Sequence, residues 1–351
     1  MWSVQIHETR SGGRLEAVEP VGCRWARKMS GIGDGSLTVN LADLGLERAQ
    51  ARDLLRGTAR TVVVLWGDHV VSAGVIETPA YSRDAGTVTV NTKEIRAIFR
   101  ERLTFGVELY ELGDLTITNR SAAGAVHAIL TRGLQGGNPE WTLPLDLPGD
   151  GAGDISFQWK NYQALTIEDC LKEVEKLGYE VDFEPYLSAG SLRWRVRVAA
   201  KIQDGSVDLP VSVDDSPVSG LTVTEDGSSL LTGVFVAGNG SEVDMITAWA
   251  GEGGPTTPIR DAWRSAKDIT DPEALQKFAD AQLALYRNPV VTWKFDVSAS
   301  VVDPSEVAPG RLAYMDVRGD PWVVDGRREG RIISLSGDIS SLTMTPEVQL
   351  S

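Results

Sequence analysis

The sequence contains little cysteine and little histidine. Its 351 residues include two cysteines, Cys23 and Cys170, and three histidines, His7, His69 and His127. The cysteines are far apart, without the spacing of a zinc or redox motif, and no two histidines stand at i, i+4 spacing. We therefore expect unpaired structural cysteines in a reducing compartment, with no metal site and no cofactor.

The sequence also lacks a long apolar run and an excess of positive charge. No apolar stretch approaches the roughly 20 residues that cross a bilayer, and residues 1–7 lack the basic segment and apolar run of a secretory signal. Lys plus Arg number 34 against 49 Asp plus Glu, which gives a net charge of −15. Because binding to nucleic acid depends on neutralising phosphates, this balance predicts a soluble chain that does not hold DNA or RNA.

Motifs of catalysis are missing as well. There is no Gly-x-Ser-x-Gly elbow and no Walker loop, and glycine-rich residues 31–36 lie outside any clear βαβ unit. Asp214, Asp215, Asp244 and Glu252 offer carboxylates for glycoside cleavage, but adjacent strand residues point to opposite faces. We expect no enzyme, and a cell-wall hydrolase remains the weakest alternative.

The residues that are present favour an α+β, mainly β fold. Glycine is abundant, with 36 copies. Apolar runs around the Gly67-Asp68 turn, followed by residues 86–91, predict a three-stranded meander. Capping signals predict helices: a short one after Thr92, and longer ones after Asp43 (44–56), Ser121, Thr166 and Asp271 (272–287).

Two segments around residue 190 alternate cleanly between apolar and charged side chains. With 185–191 as the hairpin loop, an acidic stripe lies beside a basic one. Cross-strand ion pairs of this kind fix a register and contribute about 0.2–1 kcal/mol each. A nucleic-acid contact through the arginines is the alternative. The predicted pairs are Glu184 with Arg193, Asp182 with Arg195, and Glu180 with Arg197.

The ten tryptophans are spread over every segment, so core and interface positions are favoured over a carbohydrate-binding platform. Trp141 and Trp159 differ, because they lie in the long Gly- and Pro-rich loop predicted at 135–164. Composition divides the chain into a first β-barrel-like domain (1–118), an inserted α/β domain (119–217) that holds this loop, and a second β-barrel-like domain (218–351) with helix 272–287 docked on it.

The order of these elements resembles the baseplate hub proteins of phage tails, often called minor tail proteins. The meander with Ser72–Ile76 and Gly86–Val90 is similar to that family's opening barrel, and residues 165–183 to its inserted α/β domain. Residues 223–238, helix 272–287 and residues 325–336 are similar to its second barrel.

The resemblance implies a structural virion protein at the tail tip, assembled in the host cytoplasm. Two barrels per subunit would form a homotrimeric, pseudo-sixfold ring that joins the distal tail or tail tube protein to the tip. The tape-measure protein, other tail-tip proteins and transiting, unbound DNA are the implied partners. The alternative is a receptor- or carbohydrate-binding tail component that uses loop 135–164.

Overall fold

The structure is a computed structural model, and it describes residues 1–105, 113–135, 142–251, 258–267 and 269–350. Strands hold 46% of the residues and helices 18%, which confirms the mainly β, α+β class. Within the described ranges, no helix is long and apolar enough to span a membrane.

The elements of the described residues follow in chain order. The strands are β1 (Trp2–Glu8), β2 (Arg14–Val18), β3 (Gly22–Lys28), β4 (Asp34–Asn40), β5 (Arg60–Trp66), β6 (His69–Ser82), β7 (Thr87–Glu94), β8 (Leu115–Arg120), β9 (Leu145–Asp146), β10 (Ile155–Trp159), β11 (Glu180–Ser188), β12 (Ser191–Ala199), β13 (Ser206–Asp208), β14 (Val218–Asp226), β15 (Gly233–Ala237), β16 (Thr247–Gly251), β17 (Asp261–Ser265), β18 (Val290–Ser298), β19 (Leu312–Val317), β20 (Gly326–Asp338) and β21 (Thr343–Leu350). The α-helices are α1 (Arg48–Leu54), α2 (Ala122–Leu130), α3 (Ile167–Lys176) and α4 (Pro272–Tyr286), and short helical turns occur at Ile95–Arg100, Thr131–Gln135, Asn161–Gln163, Glu242–Asp244 and Pro304–Glu306.

The chain forms two compact units. Unit 1 comprises residues 1–221 and 294–349, and unit 2 comprises residues 222–293. The C-terminal strands thus belong with the N-terminal half of the chain. The division into three consecutive domains stays a prediction.

Unit 1 contains one large sheet. Its strand order is β14-β18-β21-β20-β3-β4-β7-β6-β5-β1-β2, with β19 paired to β20 and β13 to β19. β14 and β18 belong to unit 1 through 218–221 and 294–298. The antiparallel pairing of β20 with β3, which places Leu335 opposite Arg27, joins the two ends of the chain in one sheet. Among the described strands this order does not close into a barrel.

The predicted meander is β5-β6-β7, with Trp66 opposite His69 around Gly67 at φ +59°. The helix expected after Thr92 begins later. Thr92 lies in the ladders to both β4 and β6, so the strand continues to Glu94 and the 3₁₀ turn Ile95–Arg100 follows.

Three of the four other predicted caps are in place, whereas Asp43 lies in a turn and does not cap α1. Ser121 Oγ accepts a hydrogen bond from the Gly124 N–H at 3.0 Å, and Thr166 forms a capping box with Asp169. Asp271 caps α4 ahead of Pro272. Helix α1 is shorter than predicted, because residues 41–44 form a turn and the helix begins only at Arg48.

The main apolar core of unit 1 crosses the predicted domain boundary at residue 118. It packs Val63 and Phe99 from the first block against Ile129 of α2, Leu171 of α3 and Trp194 of β12. This shared core explains why residues 1–217 cluster as one unit, and it seats the β11–β12 hairpin.

One predicted loop and one predicted strand differ from the structure. Loop 135–164 contains β9 and β10, so part of it is regular strand. Residues 322–324, predicted as a strand, form a turn in which Asp320 Oδ1 accepts from the N–H groups of Trp322 and Val323, leaving Trp322 76% exposed. Residues 106–109 of a predicted strand, together with Trp141 and Glu252, lie outside the described residues.

Unit 2 is a small sheet covered by one helix. β15 pairs antiparallel with β16 and parallel with β17. Val234 and Val236 of β15 pack against Leu275, Ala279 and Leu283 of α4. The alternate residues of these strands therefore face away from the helix.

Candidate functional site

The most chemically distinctive region of unit 1 is a set of buried charges beneath the β11–β12 hairpin. Three of the six residues predicted to form ion pairs, Glu180, Asp182 and Arg197, belong to it, and the partners of all six differ from the prediction. Asp182 lies opposite Arg197, and Glu184 lies opposite Arg195. The register is displaced by two residues because the loop is only Ala189-Gly190, whose φ values of +49° and +79° suit a tight two-residue hairpin.

Asp182 is the centre of the region. Its Oδ2 accepts from Arg27 Nη2 at 3.0 Å and from Arg197 Nε at 3.1 Å. The side chains of Asp182 and Arg27 are each 3% exposed. Burial opposes the charge of Arg197, but the carboxylates of Asp182, Glu184 and Asp204 together outweigh this effect and raise the pKa of the guanidinium. Because Arg27 belongs to β3, the interaction ties the hairpin to the large sheet.

A second ion pair makes the same connection through β20. Arg331 donates to both carboxylate oxygens of Glu180 at 2.5 Å, in a bidentate geometry. Glu180 also accepts from the Ile202 N–H at 2.7 Å. We call Arg27, Glu180, Asp182, Arg197 and Arg331 the hairpin clamp.

The remaining predicted arginines are also paired. Arg193 Nε donates to Asp146 Oδ1 at 2.9 Å, and this bond lowers the pKa of Asp146. Arg195 reaches Glu184 at 3.3 Å on the exposed side. With every arginine of the stripe in an ion pair, the geometry favours a structural role over a nucleic-acid contact.

A further buried guanidinium was not predicted. Arg96 Nε donates to Glu168 Oε2 at 2.7 Å, and its two terminal nitrogens reach Glu175 at 2.8 and 2.9 Å. Burial opposes the charge, but bonds to Glu175 and Glu168 raise the pKa of Arg96. This fork fixes α3 against the turn that follows β7. Arg96 is 72 residues from Glu168 and 79 from Glu175, so no local sequence pattern could predict these ion pairs.

Glu94 lies beside the clamp. Its Oε2 accepts from the N–H groups of Gly33 at 2.5 Å and Lys28 at 3.2 Å. Burial raises the pKa of Glu94 to about 8. The adjoining cavity measures about 10 Å³ and suits a single water at most. Ligand pockets are far larger, at about 300–1,000 Å³, so this cavity is no substrate site.

The histidines and cysteines that the sequence analysis considered for chemistry lie in separate places within the described ranges. His7 is buried, with Nδ1 2.9 Å from the Gly12 carbonyl oxygen, and burial lowers its pKa. Burial raises the pKa of both Cys23 and Cys170 to about 12, so neither thiol is activated. The described residues contain no group of three or more His, Cys, Asp or Glu side chains able to hold a metal.

The tryptophan of loop 135–164 that the structure describes is not an open platform. Trp159 is 9% exposed and stacks on Phe157 with ring centroids 4.6 Å apart. It belongs to the core around α2. A sugar-binding surface at this loop would therefore have to do without the Trp159 ring.

Comparison with solved structures identifies the fold. The 43 kDa tail protein of prophage MuSo2 from Shewanella oneidensis matches with a TM-score of 0.63 and 13% identity, over 99% of this chain and 98% of that one. A tail protein from Neisseria meningitidis matches with a TM-score of 0.61 and 12% identity, over 99% and 96%. No protein-family model and no curated protein matches the sequence.

A third match extends beyond phages. The Escherichia coli protein c3393, a type VI secretion component described as similar to the T4 tail proteins gp27 and gp5, matches with a TM-score of 0.55 and 11% identity, over 99% of this chain and 76% of that one. The fold of this chain is thus that of phage tail proteins, and the resemblance drawn from element order is confirmed at the level of fold.

Proposed function

We propose that this chain is a structural protein of a phage tail tip, a hub without catalytic activity. Three copies would form a pseudo-sixfold ring that connects the tail tube or distal tail protein to the tip. The observation that carries the proposal is the match of nearly the whole of this chain to phage tail proteins.

The internal construction of unit 1 supports a mechanical role. The hairpin clamp and the Arg96 fork use buried ion pairs to fasten segments that are more than 70 residues apart in sequence. Such pairs are costly to break from one side, so they resist separation of the segments. The proposal assigns the two outer β-rich blocks, 1–118 and 218–351, to two barrel-like ring segments per subunit.

The charge of the chain supports a path for DNA. Each copy carries a net charge of −15, and a ring of three triples that value. We propose that part of this charge faces the central hole, so that DNA passes without binding. A lumen lined by Lys and Arg would contradict this part of the proposal. The tape-measure protein and the neighbouring tail proteins are the proposed partners.

Two measurements test the proposal: the mass of the purified protein and its position in the phage particle. Native mass spectrometry of the purified chain should show a species of three times 37.9 kDa. If the ring forms only on the assembled tail, the purified chain will not show this species, so imaging of whole particles with antibody-labelled chain is the decisive measurement. Antibody label at the tail tip, together with averaged images that show threefold symmetry, supports the proposal. Particles that lack the chain, or that carry it in the capsid, contradict it.

A further inference from the structure

The face of the unit 2 sheet that points away from α4 carries three aromatic side chains in a line. Phe235 of β15 lies opposite Trp249 of β16 and opposite Trp263 of β17. Trp249 is 50% exposed and Trp263 61% exposed, and Phe235 between them is partly exposed. With strands about 4.8 Å apart, the row crosses the sheet over about 10 Å. We call these residues the aromatic row.

The row lies on a surface made flat by glycine. A Cβ atom at Gly233 would stand 2.6 Å from Trp249 Cη2, and one at Gly251 would stand 2.7 Å from its Nε1. The indole therefore leans along the sheet over both glycines instead of standing out from it. The outward side chains beyond the row are short, as at Thr247 and Ser265.

An acceptor group lies next to this indole. The Asp261 carboxylate faces outward, since Asp261 is opposite Gly233, and its Oδ1 is 2.5 Å from the same Cβ position that Trp249 approaches. The arginines on either side are engaged elsewhere. Arg260 donates to the carbonyls of Gly227 and Ser228, and Arg264 lies over the Tyr286 ring.

These features select a class of ligand. Aromatic rings offer apolar faces of defined geometry, which match the C–H faces of a pyranose, and a carboxylate accepts hydrogen bonds from hydroxyl groups. Because Arg260 and Arg264, the guanidinium groups next to this face among the described residues, are engaged, the face favours neutral sugars over phosphate, uronate or sialate. A protein partner is less well matched, because the residues that dominate protein–protein binding energy fill well-packed, desolvated pockets, whereas this face is flat.

We propose that the aromatic row and Asp261 bind a neutral glycan chain, of hexose or N-acetylhexosamine units, such as those of a bacterial cell surface. Sugar rings stack on Trp249 and Trp263, and hydroxyl groups donate to the Asp261 carboxylate. This assignment does not rest on the hub proposal, because an isolated chain carries the complete face.

The experiment uses the purified full-length chain on an array of neutral and acidic glycans. Titrations of tryptophan fluorescence with soluble chitohexaose and cellohexaose follow. W249A and W263A should each weaken binding by about tenfold or more, and D261N by less. W263F, which keeps a ring, should restore part of the loss. W322A is the matched control, because Trp322 is also exposed, at 76%, but lies on a turn of unit 1, and this variant should bind as the unchanged chain does.

Four results would overturn the proposal. One is an array that retains no neutral glycan, and another is retention of acidic glycans alone. A third is an equal loss in W322A. The fourth is self-association of the chain that W263A abolishes, without glycan binding, because the face would then be a contact between copies. Circular dichroism of each variant separates these outcomes from misfolding. Absence of the chain from tail tips, by contrast, would refute only the hub.

Discussion

The two units stabilise themselves by different means. Unit 1 contains all the ion pairs of the described residues, several of them buried, whereas the described part of 222–293 contains none. Unit 2 relies on an apolar layer between β15, β16 and α4. The first unit therefore depends on charges whose state changes with pH, and the second on apolar burial.

The outer surfaces differ in the same way. Across β4 and β7 of the large sheet, Ser36 is opposite Asn91 and Thr38 opposite Thr89, and the two threonine hydroxyls lie 2.9 Å apart. The corresponding face of the small sheet carries the aromatic row. Both sheets alternate buried and outward residues, so folding alone does not require aromatic residues outside. The contrast between these positions and the aromatic row supports the proposal that the aromatic face binds a ligand.

The largest expected effect tests the dependence of unit 1 on charge. D182A leaves Arg27 buried without its carboxylate, so we expect a loss of about 3–5 kcal/mol in the free energy of unfolding. R195A removes an exposed pair on the same hairpin and should cost about 0–1 kcal/mol. Urea denaturation of both variants measures the difference. Equal losses would show that burial does not set the strength of these pairs.

An intermediate effect concerns pH. Unfolded Glu94 loses its proton near its ordinary pKa of about 4.3, whereas the folded protein holds that proton up to about pH 8. The unfolded state therefore binds fewer protons in this window, and stability contributed by Glu94 falls as pH rises from about 5 to 8. E94Q keeps an oxygen acceptor for Gly33 and Lys28 and cannot ionise. Its urea midpoint should decline less over this range than that of the unchanged chain.

The matched control for the pH experiment is E101Q, since Glu101 is exposed on the surface of the same unit. Its pH profile should follow that of the unchanged chain. A profile for E94Q as steep as that of E101Q would mean that the Glu94 carboxylate is ionised in the folded protein throughout the window.

The smallest expected effect concerns the aromatic row. W263T gives the small sheet the kind of outward residue found on the large one, and surface substitutions of this kind usually change stability by within about 0.5 kcal/mol. The thermal midpoint should barely move, while glycan binding falls. A large loss of stability would place Trp263 in the core of unit 2 and would remove the contrast between the two outer faces.

Local patterns predicted part of the local structure. The caps at Ser121, Thr166 and Asp271 and the β5-β6-β7 meander follow from signals within a few residues. The ion-pair register was wrong because the turn at Ala189-Gly190 was not recognised, and the position of the turn decides every pair in a hairpin.

Long-range features were beyond the sequence pattern. No sequence pattern indicated that Arg27 and Arg331 pair with a hairpin about 150 residues away, because only the folded chain brings these side chains together. The aromatic row was also missed. Trp249 and Trp263 were counted among scattered tryptophans, and only the pairing of both strands with β15 brings them into line.

The pairing of β3 with β20 has a consequence for biosynthesis. A ribosome releases β3 some 300 residues before β20, so the nascent chain carries an unpaired strand edge for most of its translation. Exposed edges invite pairing with other chains. The large sheet therefore cannot be completed until β20 has been synthesised, and truncated chains that end before residue 326 should aggregate.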